Sequence, residues 1–203
     1  ADGFVVKTDC GPIPAKAAVV ATGGLSWPKA GATDCASRLA ESFGLKVTPL
    51  RPGLVPLTLS GSELDLCRRL AGVSVRAEVA CGSAALVGDI LLTHRGLSGP
   101  AILDASLFWH EGEPIAINLL PGMDALAWLR DNKSRSLRLR NLLGEKLPRR
   151  LAETLAGTRD GDRPLNRIPP TQFPEIAAGL VRWTLRPSGT EGYTRAEVTL
   201  GGI

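Results

Sequence analysis

The run Lys16–Pro28, KAAVVATGGLSWP, constrains this chain more than any other stretch. Five small or β-branched apolar residues, Ala17 to Ala21, lead straight into Thr22-Gly23-Gly24. An apolar run that ends in glycines predicts a buried strand of a parallel sheet, with a tight turn at its carboxyl end. In open α/β sheets ligands sit beyond those ends. Two adjacent glycines let the backbone come close to a bulky ligand, because no Cβ intervenes. An ordinary strand-to-helix turn would use the same residues.

The flanking pattern extends this unit. Gly3–Cys10 and Ile13–Ala21 are expected as two strands around the turn Cys10-Gly11-Pro12. Residues 32–43 read as a helix, with Leu39 and Phe43 on one face, Asp34 in the first turn and Gly44 as the C′ residue. Residues 16–44 are therefore expected as strand, glycine turn and helix, a piece of a doubly wound domain.

The character changes after residue 48. Pro49, Pro52 and Pro56 suit a segment that crosses from one sheet to another. From Val73 to Val79 the apolar residues alternate with polar ones, Cys81-Gly82-Ser83 turns the chain, and Ala84–Thr93 returns. That predicts an antiparallel hairpin with one wet face. Residues 115–120 are a further strand. Between them, Ser98 or Gly99 is placed to cap a helix that starts at Pro100. Its free N–H groups would face Thr93, His94, Arg95 and Ser98, and such an end can hold a phosphate, carboxylate or ring carbonyl. A well-capped structural helix with His94 as a plain loop residue is the bland alternative.

Residues 123–157 carry helical periodicity, with Leu139, Leu143, Leu147, Leu151 and Leu155 at intervals of four and Pro148 splitting the series. Residues 158–172 read as a polar, Pro-rich loop, 175–180 as a short helix, and 180–185 and 193–200 as the last strands, with Gly189 in the turn between them. Eight basic residues lie between Arg130 and Arg150. With one aromatic at the edge and no groove-reading motif, they are read as a solvated helical face rather than a nucleic-acid surface.

Composition sets the outer limits. The 203 residues are 44% hydrophobic and 22% charged, ordinary for a globular chain with a real core. A net charge of +4 permits an anionic partner without demanding one. Cys10, Cys35, Cys67 and Cys81 form no CxxC and are expected as free thiols. No signal peptide or apolar run of about 18 residues is present, so a cytoplasmic protein with no membrane contact is expected. The sole methionine is Met123, and both ends of the chain look like strands, so a fragment of a longer protein is expected.

Four stretches together resemble one family: ATGGLSWPKAG (21–31), LRPGLVPL (50–57), LLTHRGLSGPAIL (91–103) and RAEVTLGGI (195–203). They are similar to the BaiN/YhiN-type NAD(P)/FAD-dependent oxidoreductases, over essentially the whole chain. The resemblance implies an α+β arrangement: an antiparallel β-barrel or sheet with a small helical subdomain, flanked by an incomplete strand–turn–helix piece of an FAD-binding domain. The implied boundaries are 1–48 for the partial FAD domain and 49–190 for an insertion, with a barrel part at 49–121 and a helical part at 122–180. Residues 191–203 would be the return strand.

The same resemblance implies that Ala21, Thr22, Gly23, Gly24, Gly201 and Gly202 line FAD. It implies that Thr93, His94, Arg95, Gly96, Ser98 and Gly99 form a substrate-side loop, with His94 as a candidate catalytic proton donor. NAD(P)H is the candidate reductant. The expected function is a small-molecule flavin oxidoreductase, with a nucleic-acid-binding module or a structural domain as the alternatives. No GxGxxG fingerprint occurs in the chain, so the fragment by itself is expected to hold FAD poorly.

Overall fold

The computed structural model describes residues 3–157 and 163–203. The first five residues of the expected 158–172 loop lie outside the described residues. The chain opens with a hairpin, β1 (Phe4–Thr8) against β2 (Gly11–Ala15), antiparallel from Phe4↔Ala15 to Thr8↔Gly11. Helix α1 (Cys35–Ser42) follows. Its end has the expected form: the Gly44 N–H donates to Glu41 O at 2.9 Å and the Leu45 N–H to Ala40 O at 3.0 Å. Gly44 has φ +74, as a Schellman ending requires.

The expected strand Ala17–Ala21 does not form. Val19 is 91% exposed and no strand among the described residues pairs with the run. An extended segment becomes a strand only when its N–H and C=O groups meet a neighbour. No described strand of this chain lies beside it.

Strand β3 (Thr48–Gly53) pairs antiparallel with the last strand of the chain, which closes a separate two-stranded sheet. The chain then crosses to a larger sheet through β4 (Leu57–Thr58), as the prolines suggest. Helix α2 (Gly61–Arg69), the hairpin β5 (Ser74–Cys81) and β6 (Ala84–Thr93), and β7 (Gly96–Ser98) come next. Helix α3 (Pro100–Ala105), β8 (Ile115–Asn118), α4 (Ala125–Asp131), α5 (Leu139–Leu143), α6 (Arg149–Gly157) and α7 (Phe173–Val181) follow. The chain ends with β9 (Trp183–Leu185), β10 (Gly189–Thr190) and β11 (Val198–Gly202).

The large sheet is antiparallel throughout, in the order β10-β4-β7-β6-β5-β8-β9. Its two edge strands are consecutive in sequence, joined by residues 186–188. Laid flat, seven strands would set those edges roughly 29 Å apart. The connection spans at most about 14 Å. The sheet therefore curls back on itself into a barrel-like shape, without hydrogen bonds closing β9 on β10. This is the expected α+β class.

One buried cluster fills the barrel and runs on into the helices. It joins Val75, Ala77, Val79, Ile90 and Leu92 of the hairpin to Ile102 of α3, Leu129 of α4, Leu142 of α5, Leu151 of α6 and Phe173 of α7. Pro148 separates α5 from α6 as expected, and Leu139, Leu143, Leu147 and Leu151 are all buried. Residues 193–197, expected as strand, instead form a turn, with the Arg195 and Ala196 N–H groups both donating to Gly192 O at 3.0 Å. The four cysteines are free thiols, with Cys10 and Cys35 exposed and Cys67 and Cys81 buried. No helix among the described residues is long and apolar enough to cross a membrane.

Candidate functional site

The two glycine elements at opposite ends of the sequence meet through one side chain. Thr199 Oγ1 on β11 accepts the Leu25 N–H at 2.8 Å and the Ser26 N–H at 3.0 Å, and lies 3.1 Å from Ser26 Oγ. Gly24 lies flat against it: a Cβ at residue 24 would sit 2.6 Å from Thr199 Oγ1. Gly201 has φ +86, and a Cβ there would run into the Pro49 carbonyl oxygen across the β3/β11 pair. Glycine is required at both positions by close approach of backbone or side chain.

Around this junction lies a cleft of about 450 Å³. Gly23, Gly24, Trp27, Thr199, Gly201 and Gly202 form part of its wall. Of the six expected cofactor residues, the structure brings these four glycines together. Ala21 and Thr22 are exposed and do not line the cleft. No protein atom lies within 4 Å of the place where a Cβ would stand on Gly23 or Gly202. Those stretches of the wall are bare backbone, which suits the edge of a flat ring system. The cleft thus fits part of a dinucleotide flavin, while a fingerprint for its pyrophosphate is absent from the sequence.

Sequence reasoning passed over two residues here. Trp27 is 54% exposed and adopts φ 63, a left-handed conformation that a bulky residue enters at a cost. Its N–H donates to Tyr193 O at 3.1 Å. Thr199 was hidden inside an alternating run, where a threonine reads only as a strand former.

The loop after β6 lies elsewhere. Thr93 Oγ1 accepts the N–H groups of Arg95 (3.2 Å) and Gly96 (3.1 Å), so Thr93–Gly96 is a tight turn between β6 and β7. His94 is exposed on that turn, and none of Thr93, His94, Arg95, Gly96, Ser98 or Gly99 lines the glycine cleft. Arg95 makes an ion pair of 3.2 Å with Glu191, whose side chain is 11% exposed. That pair ties the turn to residues 191–196, the segment that also holds Trp27.

The start of α3 uses the second of the two expected cap residues, with Pro100 at the first helical position as expected. Ser98 belongs to β7 and caps nothing with its side chain. Gly99 caps instead, pressed so closely on β6 that a Cβ would meet Asp89 O at 2.7 Å. With six residues, α3 is too short to offer a strong dipole end. Among the described residues no three His, Cys, Asp or Glu side chains converge as metal ligands.

The basic stretch is also ordered. Arg135 makes a bidentate contact with Glu145 at 2.6 and 3.1 Å, and this donation holds the Glu145 carboxyl below its usual range. Arg149 bonds Glu153 at 2.7 Å. Arg150 donates to the carbonyls of Arg69 and Ala71, closing the end of α2.

Comparison with known proteins places these features in context. The family profile described as "HI0933-like protein barrel and H2TH domain" matches residues 51–198. The chain is 38% identical over 212 residues to a ribosomal RNA dihydrouridine synthase of Escherichia coli K12, covering 99% of this chain and 51% of that protein. It is 35% identical to the ribosomal RNA dihydrouridine synthase of Haemophilus influenzae, covering 98% and 51%. It is 26% identical to a 3-dehydro-bile acid delta(4,6)-reductase of Clostridium scindens, covering 100% and 53%. The chain thus spans about half the length of these curated relatives.

These relatives are enzymes whose names denote reductive or RNA-modifying chemistry. They correct two expectations, that of a small-molecule oxidoreductase and that of a partner list without nucleic acid. Two relatives above 30% identity bear ribosomal RNA in their names. The sequence misled because a chain without a groove-reading motif is not thereby excluded from having an RNA partner. The chain belongs to the HI0933-like barrel and H2TH domain family.

Proposed function

We propose that this chain is the central part of a flavin-dependent enzyme that reduces a uridine of ribosomal RNA to dihydrouridine. The observation that carries the reading is 38% identity to the E. coli enzyme across 99% of the chain. The cleft supports it. Gly23, Gly24, Gly201 and Gly202 would hold one edge of FAD with bare backbone, and Trp27 stands at the same wall. FAD supplies hydride when bound, with NAD(P)H as its reductant.

The reaction adds two hydrogens across the C5–C6 bond of uracil. Hydride goes to C6, the carbon conjugated to the C4 carbonyl, and a proton goes to C5. His94 is the candidate source of that proton, carried on a turn that the Arg95–Glu191 pair fixes to the Trp27 segment. The Thr93–Gly99 loop would face the RNA side of the site. Residues 1–48 and 191–203 belong to the flavin side, and 49–190 form the inserted unit. The Thr199 junction and the β3/β11 pairing, which hold both ends of the chain together, support that division.

The test uses the full-length protein with FAD, NADPH or NADH, and ribosomal RNA lacking the modification. Nucleoside mass spectrometry is expected to show dihydrouridine that depends on enzyme and reductant. Consumption of nicotinamide without any dihydrouridine in the RNA would overturn the proposal.

A further inference from the structure

The positive charge of the molecule is concentrated in one part. Residues 122–190 hold 13 Lys and Arg against seven Asp and Glu, whereas the whole chain has 24 against 20. The rest of the chain is therefore slightly acidic, and a single region accounts for the net charge of +4.

The fold gathers part of this charge into a stripe. The bidentate Arg135–Glu145 contact draws the turn after α4 against the turn between α5 and α6. Arg130 lies in the last turn of α4, Lys133 on the turn that follows it, and Lys146 on the turn between α5 and α6, beside Glu145. One turn further on, Arg149 and Arg150 open α6. Arg150 donates to the carbonyls of Arg69, the last residue of α2, and of Ala71 just beyond it, which brings Arg68 and Arg69 up to the start of α6.

The acids along it are mostly answered from within. Glu145 is taken by Arg135, Glu153 by Arg149 and Asp65 by Arg68. Asp131, and Glu63 on α2, which accepts the Arg186 N–H, are further carboxylates along it. Among the described residues no carboxylate lies within ion-pair distance of Arg130, Lys133 or Lys146. Exposed cations like these lose little by staying unpaired in water. They are free to meet a polyanion, where each phosphate neutralised by such a cation releases condensed counterions.

We infer that the stripe from Arg130 through Lys133 and Lys146 to the end of α2 is a docking platform for the phosphate backbone of structured RNA. The platform rests on the proposed reading of the chain as part of an enzyme acting on ribosomal RNA. It positions the RNA without reading its sequence, since phosphates carry no sequence information. Base selection falls to the cleft side of the molecule.

The test measures binding of the full-length protein to a ribosomal RNA fragment over a range of salt concentrations. Arg130→Gln/Lys133→Gln/Lys146→Gln is compared with wild type and with Lys46→Gln/Arg76→Gln, two cations away from the stripe. The triple variant is expected to bind about tenfold more weakly near 0.15 M salt. Its plot of log affinity against log salt should flatten by about 0.7 to 0.9 for each phosphate no longer neutralised, hence about two to three units. The Lys46/Arg76 variant should follow wild type. Thermal melting checks folding, and the three single variants are measured in case the triple variant is unstable.

If wild type binds RNA and the triple variant keeps its affinity and slope, the platform is overturned while the proposed function stands. An equal loss in the Lys46/Arg76 variant would also overturn it, because overall charge would then explain binding. Wild type that neither binds ribosomal RNA nor forms dihydrouridine in it would overturn both.

Discussion

At the scale of single residues, Thr199 is the most consequential side chain that sequence reading missed. Replacing it with valine keeps the shape and removes the acceptor for two N–H groups. Thr199→Val is expected to destabilise by about 1–3 kcal/mol, since those donors sit in a half-closed junction. The measurements are thermal melting and flavin content of the full-length protein. A variant as stable and as yellow as wild type would argue against a role for the junction.

His94 has a different test. If it delivers the C5 proton, His94→Asn should lower turnover by about 10²-fold with RNA affinity retained. Unchanged turnover would make the turn a spacer.

Cys67 gives a pH signature. Burial, assisted by the nearby Glu63 charge, pushes its thiol from 9.0 up to about 11. In the unfolded chain the thiol ionises above about pH 9, while in the folded chain it stays protonated. Folding stability is therefore undiminished below about pH 9 and falls as pH rises towards 11, by at most about 2–3 kcal/mol from this group. Cys67→Ala should remove that part of the loss, which parallel melting curves at about pH 8 and about pH 10.5 would reveal.

At the scale of elements, legibility followed how local each signal was. The β5/β6 hairpin was readable because alternation of period two needs only one buried face and a turn. The α1 ending was readable because Gly44 satisfies a local rule of helix ends. The strand expected at Ala17–Ala21 was not realised, because a strand depends on a neighbour that composition cannot supply. Residues 193–197 alternate as a strand does, yet hydrogen bonds to Gly192 and the ion pairs of Glu191 hold them in a turn.

The crossing segment 50–57 illustrates tertiary locking. Arg51 donates to Leu107 O at 2.7 Å and to Trp109 O at 3.3 Å, and the buried Ser106 Oγ accepts the Val55 N–H at 3.0 Å. These bonds fasten the β3/β11 sheet to the barrel. Arg51→Met should cost about 1.5–3 kcal/mol, as expected when hydrogen bonds from a charged donor are removed. Chemical denaturation would check it, and an unchanged midpoint would show that the fastening carries no weight.

At the scale of the whole molecule, the core is lopsided. Barrel and helices share one continuous interior, whereas Ala40 is the single buried apolar side chain among the described residues before residue 50. Phe4, Val5, Val6, Ile13, Val19 and Val20 are all exposed, and so is Ile203 at the other end. Apolar side chains left uncovered in one part of the chain are open to hydrophobic probes. The 203-residue chain by itself is expected to bind a hydrophobic dye strongly and to show no flavin absorbance after purification. Stoichiometric flavin in that preparation would contradict the division into flavin-side and inserted parts.

The sequence alone determined the alternation of the β5/β6 hairpin, the ending of α1 and the proline break between α5 and α6, because those follow from contacts a few residues apart. The tertiary structure decided which glycines share a wall, which strands find partners and how scattered cations become one stripe. Those depend on groups as far apart in sequence as Leu25 and Thr199, which are separated by 174 positions. No local pattern records a meeting at that distance, since it arises from how the sheet curls and where the chain crosses between its layers.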